Sequence, residues 1–145
     1  MTSDFSEEWL YRQIAEGVSD AFVFADAEGN IRLWSPGAAA MFGYSREEAL
    51  GQSLDLIVPE AMRERHWEGY HRVMRSGQTR YATELLAVPA RCKDGRRVSI
   101  EFTIAMLRDE SGAIIGAGAV IREVTERWQK DKALKARLAE LESQA

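Results

Sequence analysis

The sequence predicts an α+β fold: a five-stranded antiparallel sheet with helices on one face, plus an N-terminal amphipathic helix and a C-terminal coiled-coil-like helix. Within residues 97–107, Val98, Ile100, Phe102, Ile104 and Met106 alternate with Ser99, Glu101, Thr103 and Ala105, which is typical of a strand with one buried face. Two turn signals, Gly29-Asn30 and Lys93-Asp94-Gly95, each separate a pair of short β-like runs. Such turns connect antiparallel hairpins, so both pairs of runs are predicted to be hairpins.

Length and composition restrict the function classes. The 145 residues are 46% hydrophobic and 29% charged, with a net charge of −4. This length and composition predict one globular domain, residues 20–125, between a cap helix (1–19) and an exit helix (126–145). The charge argues against nucleic acid as a partner. The single cysteine cannot form an internal disulfide. No apolar run is long enough for a membrane span or suits a secretion signal, so a cytoplasmic location is expected.

The N-terminal segment predicts an amphipathic helix over residues 5–18. Asp4 followed three residues later by Glu7 resembles a capping box. Apolar side chains then recur every four residues, at Leu10, Ile14 and Val18. This helix therefore presents an apolar face that needs a surface to cover it.

Two strands and two short helices are predicted next. The strands cover residues 21–25 and 30–35. Each helix begins at a serine that caps its first turn and ends at a glycine suited to a left-handed cap. The serines are Ser35 and Ser45, and the glycines are Gly43 and Gly51.

A longer helix, residues 60–75, carries both histidines. Helical spacing puts five residues on one stripe: Met62, His66, Gly69, Tyr70 and Val73. His66 is therefore predicted to face inward, whereas His71 shares another face with Trp67 and is expected at the surface. The plain alternative is that His66 is a hydrogen-bonded core histidine, or that it packs against Trp67.

The remaining chain predicts a three-stranded meander over residues 80–90, 97–107 and 114–124. Thr125 is the expected cap of a final helix over residues 126–142. That helix has the four-three spacing of a short coiled-coil seam, at Leu134, Leu138 and Leu141. The seam could pack on its own domain, pair with a second chain or transmit motion to an effector.

Four motifs occur in an order that resembles the PAS domain family. They lie at residues 21–31, at 39–48 followed by Gly51, at 91–95 and at 120–127. The resemblance spans about residues 18–128. It implies the PAS fold and a sensory or protein-interaction module, with a cavity between the sheet and the helices. Fold alone does not name the ligand.

A stretch of the long helix is similar to the FixL-like, oxygen-sensing haem PAS subgroup. The similar residues are 58–66, Tyr70, Arg72, Gly77 and Arg80. This resemblance implies that His66 is the iron ligand of a haem b and that Arg72 and Arg80 hold its propionates. For both arginines, the plain alternative is solvation or pairing with carboxylates. The candidate haem-binding residues are His66, Tyr70, Arg72, Val73, Arg80, Tyr81, Leu86, Phe102 and Ile104, and the candidate metal ligand is His66.

One position departs from that subgroup. In that subgroup a strand arginine donates a hydrogen bond to bound oxygen. The corresponding residue here is Leu86, whose side chain has no donor. The distal wall would comprise Tyr81, Leu86, Phe102 and Ile104. Because oxygen needs a donor more than carbon monoxide does, this wall puts stable oxygen sensing in doubt. Tyr81 would restore a donor only with its hydroxyl turned inward.

Two further classes are disfavoured by missing motifs. No P-loop, nucleophile elbow or His-Glu-x-x-His motif is present, so the chain is not expected to be an enzyme. Flavin-binding LOV domains use a helix cysteine in an Asn-Cys-Arg motif, whereas Cys92 lies beside a turn, so no flavin is expected.

The sequence leaves two functional hypotheses. The first is a stand-alone PAS sensor that binds haem b, detects a diatomic gas (O2, CO or NO) or a redox state, and signals to a separate protein. The second is a haem-free interaction module with an empty cavity or a small organic ligand. In either case the flanking helices favour a homodimer.

Overall fold

The computed structural model describes residues 5 to 144 and confirms the α+β class. Three single 3-10 turns join the larger elements, at Leu54–Leu56, Glu60–Met62 and Arg80–Ala82. The helices and strands are α1 (Glu7–Gly17), β1 (Ala21–Asp26), β2 (Ile31–Trp34), α2 (Pro36–Phe42), α3 (Arg46–Ala49), α4 (Arg63–Ser76), β3 (Leu86–Arg91), β4 (Arg97–Arg108), β5 (Ile114–Glu123) and α5 (Thr125–Ser143). No helix among these described residues is long and apolar enough to cross a membrane.

The five strands form one antiparallel sheet in the order β2-β1-β5-β4-β3. Directly paired residues lie on the same face, so the register defines rows across the sheet. In one row Phe102 pairs with Leu86 on one side and with Ile121 on the other. In the next row Ala119 lies opposite both Ile104 and Val23. These rows make up the inner face of the sheet.

The hydrophobic core fills one end of this inner face. Its largest fully buried side chains are Ile31 in β2 and Phe42 at the end of α2. Val98 and Ile100 in β4 are buried in the same cluster. Further along β4, residues 101–104 and 106 are only half-buried. The close-packed core therefore stops partway along the sheet.

The predicted caps of the short helices are confirmed. The Ser35 hydroxyl accepts a hydrogen bond from Ala38 N, and Ser45 forms a complete capping box with Glu48. At α1 the cap is Ser6, whose side chain accepts from Trp9 N. The proposed cap Asp4 lies outside the described residues.

Two local predictions are wrong. The strand expected from residue 80 begins only at Leu86, because Thr79 caps a 3-10 turn by accepting a hydrogen bond from Tyr81 N, at 3.2 Å. Thr125 does not cap α5. Its hydroxyl accepts from Ser99 N at 3.0 Å instead, and so fastens the start of the helix to β4. A capping side chain and a cross-strand acceptor look the same in a sequence.

Asp26 holds the β1–β2 turn together. Its carboxylate accepts from Glu28 N and Asn30 N and pairs with Arg32 at 2.7 Å. We expect Asp26→Ala to lower the free energy of unfolding by about 1 to 2 kcal/mol, the usual cost of losing a few hydrogen bonds. Urea denaturation measures the loss, and Glu28→Ala in the same turn is the matched control.

The pH dependence of that loss has a definite sign. Burial raises the pKa of Asp26, but hydrogen bonds from Asn30 N and Arg32, with the charge of Arg32, outweigh it, and the pKa lies below its usual value. The stabilisation is therefore complete above the unfolded pKa and is lost as the pH falls through the folded one. The difference between wild type and Asp26→Ala should shrink in acid. A difference that grew in acid would contradict this assignment.

Candidate functional site

Helix α4 turns one side toward the protein and the other toward solvent. The stripe predicted to face inward, Met62, His66, Gly69, Tyr70 and Val73, is half-buried throughout. The opposite side is exposed and carries charged residues, among them Arg65, Glu68 and Arg72. No residue of α4 is fully buried. The helix therefore lies against the domain without close apolar packing, and His66 is on its inner side.

His66 has an unsatisfied buried atom. Its Nδ1 is buried and has no hydrogen-bond partner among residues 5 to 144. Burial lowers the pKa of His66, and the nearby Asp55 carboxylate only partly opposes this, so the imidazole is neutral at pH 7. A buried polar atom without a partner is uncommon and needs an explanation. A neutral imidazole with a free nitrogen is also the form that binds a metal.

Tyr70 and Trp67, whose rings both pack against the His66 ring, bind polar groups of other segments. The Tyr70 hydroxyl donates to the Asp26 carbonyl at 2.5 Å and lies 3.2 Å from that of Ala25. Trp67 Nε1 donates to Asp55 Oδ1 at 2.8 Å. Sequence reasoning placed Trp67 beside His71, and these rings do stack, with centroids 5.9 Å apart. It missed Asp55 and the turn, because no local pattern links residues so far apart in the chain.

The candidate propionate contacts lie at the surface. Arg72 is exposed on the outer side of α4. Arg80 is exposed after the helix, where it donates to the Tyr81 hydroxyl at 2.8 Å and its guanidinium lies 5.0 Å from the centre of the Tyr81 ring. The Tyr81 hydroxyl is thus held at an exposed guanidinium rather than turned inward. The structure does not bring Arg72 and Arg80 into contact with His66.

Three candidate residues form part of the inner face of the sheet. Leu86 and Phe102 are paired neighbours in β3 and β4, and Ile104 lies in the next row of β4. All three are half-buried. An open cleft of about 560 Å³ reaches this end of the sheet, with Arg80 and Met106 among its lining residues. Met106 follows Ile104 on the same face of β4, so the cleft borders this apolar face.

The fold has known relatives. The family model described as the PAS fold matches residues 15–129, which is most of the chain. This chain belongs to the PAS family. The five-stranded antiparallel sheet and the helices between its second and third strands agree with that assignment. The match agrees closely with the range of about 18–128 expected from the sequence motifs.

Two curated PAS relatives are sensors. The chain is 29% identical over 139 residues to the sensor protein FixL of Bradyrhizobium diazoefficiens, covering 96% of this chain and 26% of FixL. It is 24% identical over 88 residues to the oxygen sensor protein DosP of Escherichia coli K12, covering 61% of this chain and 11% of DosP. The chain thus spans about a quarter or less of these proteins, and the similarity supports a PAS sensor domain.

A solved structure shows how widely the PAS fold is shared. An RNA-binding Light-Oxygen-Voltage receptor superposes with a TM-score of 0.77 over 96% of this chain and 40% of that one, at 18% identity. Such a likeness concerns the fold alone. In this PAS domain Cys92 lies after β3, is buried, and contacts the Met41 carbonyl at 3.4 Å.

The candidate residues fit a haem in three respects. His66 has a buried nitrogen without a partner. A side chain added at Gly69, on the same stripe, would meet nothing within 4 Å, so this part of α4 faces open space. The inner face of the sheet is apolar at Leu86, Phe102 and Ile104. A flat apolar group with one imidazole ligand matches this set of side chains.

Proposed function

We propose that this PAS domain binds haem b through His66 and senses a diatomic gas or a redox state. The observation that carries the proposal is the neutral His66 imidazole, with a buried nitrogen that has no partner among residues 5 to 144. A metal bond would satisfy an imidazole nitrogen without the cost of burying a charge. The similarity to FixL and to the oxygen sensor DosP supports the same function.

The apolar side chains of Leu86, Phe102 and Ile104 would form a wall that decides which gas is retained. When bound, haem supplies an open coordination position for a diatomic ligand. Leu86, Phe102 and Ile104 have no hydrogen-bond donor, and the Tyr81 hydroxyl is engaged with Arg80 outside. Such a wall excludes water but does not stabilise partial charge on oxygen. The domain should therefore retain carbon monoxide better than oxygen.

A short path connects this wall to α5. Phe102 and Ile100 face inward on β4, while the alternate residues Ser99 and Glu101 belong to the other face of the same strand. Ser99 is joined to the start of α5 by two hydrogen bonds, from Ser99 N to Thr125 Oγ1 and from Val124 N to Ser99 O. Arg127 of α5 pairs with Glu101. A shift of β4 would thus bias the packing of the exit helix.

An absorption spectrum tests the proposal. The purified protein is titrated with haem, and a Soret band that saturates at one haem per chain is the expected result. Gas preference follows from carbon monoxide and oxygen titrations of the reduced protein. If saturating haem produces only the spectrum of free haem, the proposed function is wrong.

The second candidate function is homodimer formation, and the exposed apolar residues of α1 favour it. None of the residues of α1 is buried, and Leu10 and Ile14, with Val18 at its C-terminal cap, are 40 to 60% exposed. On α5 the seam residues Leu134, Leu138 and Leu141 are 49 to 68% exposed. Apolar stripes on both flanking helices are typical of chains that associate. Under this hypothesis the domain forms a homodimer whether or not the cavity is filled.

Charges placed on these helices should weaken the dimer. We expect Ile14→Glu and Leu138→Glu each to raise the dimer dissociation constant at least tenfold, which is about 1.4 kcal/mol, because a carboxylate would have to be buried in an apolar contact. Sedimentation equilibrium measures the constant. Gln13→Glu and Gln129→Glu add the same charge on exposed positions of the same helices and are the controls. A wild-type protein that stays monomeric would rule out assembly by this route.

A further inference from the structure

Helix α4 is held to the domain by a polar stripe. Arg63, Trp67 and Tyr70 are spaced four and three residues apart, so they lie along one side of the helix. All three donate hydrogen bonds to other segments: Arg63 to the Val58 and Asp55 carbonyls, Trp67 to the Asp55 carboxylate and Tyr70 to the end of β1. We call this set the anchor stripe. Because no residue of α4 is fully buried, these bonds do much to fix the rotation of the helix about its axis.

The end of β1, whose carbonyl accepts the hydrogen bond from Tyr70, is itself held in place by other contacts. The Asp26 carbonyl accepts from Tyr70, while the Asp26 carboxylate binds Asn30 N and Arg32 in the β1–β2 turn. The neighbouring Ala25 carbonyl lies against Gly116 of β5 so closely that a Cβ there would collide with it. The end of β1 therefore cannot follow α4 if the helix turns.

Trp67 makes the second close contact with this turn. Gly29 adopts a φ of 84°, and a Cβ at that position would collide with the Trp67 ring. The indole thus lies directly against the backbone of the turn, while its nitrogen is held by Asp55 at 2.8 Å. Ring contact and hydrogen bond together leave Trp67 little freedom to rotate.

The His66 ring packs beside these two anchored rings, which also contact each other with centroids 5.4 Å apart. Its centroid is 4.7 Å from Trp67, which it meets nearly edge-on, and 5.8 Å from Tyr70. His66 Nδ1 has no partner among the described residues, so no hydrogen bond at that atom orients the imidazole. We propose that Tyr70 and Trp67 are positioning residues that fix where the His66 imidazole lies. The use of this placement for a haem rests on the proposed function, but the placement does not.

The test compares Tyr70→Phe with wild type in two measurements. Tyr70→Phe retains the ring and removes only the hydroxyl that binds the end of β1. In the haem-free protein, the NMR signals of the His66 imidazole are expected to shift or to split into two sets as α4 gains rotational freedom. In the haem-loaded protein, haem dissociation is expected to accelerate about fivefold, the effect of losing one hydrogen bond.

Control variants distinguish a change in the position of His66 from a general loss of domain stability. Tyr11→Phe removes the hydroxyl of a tyrosine that is 67% exposed on α1 and should leave both measurements unchanged. Trp67→Phe is the second test variant, for use if Tyr70→Phe is poorly folded, and Trp9→Phe is its control. A general loss of stability would move signals throughout the domain, whereas a positioning effect concentrates on α4 and His66.

The outcomes are distinguishable. If wild type binds no haem, the proposed function fails, and the NMR comparison still decides whether Tyr70 and Trp67 position His66. If wild type binds haem but both variants leave the His66 signals and the dissociation rate as in wild type, the positioning role is wrong and the proposed function stands.

Discussion

Replacing His66 by alanine is expected to abolish the Soret band of the haem-titrated protein. His66 is the one histidine on the half-buried stripe of α4, and the candidate site offers no other imidazole to replace it. The substitution should not unfold the domain, because it removes a buried nitrogen that has no partner among residues 5 to 144. The loss of the band is measured by absorption after haem titration, with thermal denaturation to verify folding.

His71→Ala is the matched control. It removes the other histidine of the same helix, an exposed one whose only described ring contact is stacking on Trp67, and should leave the band in place. Added imidazole should restore a Soret band to His66→Ala by entering the space that the side chain leaves. A His66→Ala protein with an unchanged band would show that the ligand is another residue.

Phe42→Ala is expected to produce the largest loss of stability, about 3 to 5 kcal/mol. Phe42 is fully buried at the end of α2, with its ring 5.6 Å from that of Trp34. Removing it creates a cavity at the centre of the close-packed end of the domain, where α2 meets the sheet. The free energy of unfolding is measured by urea denaturation with a check for two-state behaviour.

Leu33→Ala is the control for this core substitution. Leu33 lies in β2, next to the buried Trp34, but is 52% exposed. Its loss should change stability by no more than about 0.5 kcal/mol, as is usual for surface positions. A Phe42→Ala protein destabilised by less than about 1 kcal/mol would mean that this end of the domain is loosely packed.

Local patterns predicted most of the fold. The alternation that predicted β4, the two hairpin turns and the serine caps of α2 and α3 each depend on neighbouring residues, and the strand, both hairpins and both caps are confirmed. The predicted start of β3 is wrong because Thr79 caps a 3-10 turn at Arg80–Ala82, ahead of a strand that begins at Leu86. The prediction that Thr125 caps α5 is wrong because its hydroxyl accepts a hydrogen bond from Ser99 N, which is distant in the chain.

The candidate site was only partly predictable. Helical spacing alone put His66 on the inner side of α4, since residues three and four apart share a face in any helix. The partners of that face could not be predicted, because spacing does not show that Tyr70 binds the end of β1, that Trp67 lies on Gly29 or that Arg80 holds the Tyr81 hydroxyl outside.

The sequence by itself determined the order of the elements, the inward side of α4 and the family motifs, because each follows from residues close together in the chain. Tertiary structure alone decided that the packed core stops partway along the sheet, that Nδ1 of His66 lies buried without a partner, and that polar bonds from Trp67 and Tyr70 hold the helix. These depend on contacts between segments far apart in the chain, such as Ala21 with Ile121 in the core and Tyr70 with Ala25, for which a local pattern carries no signal.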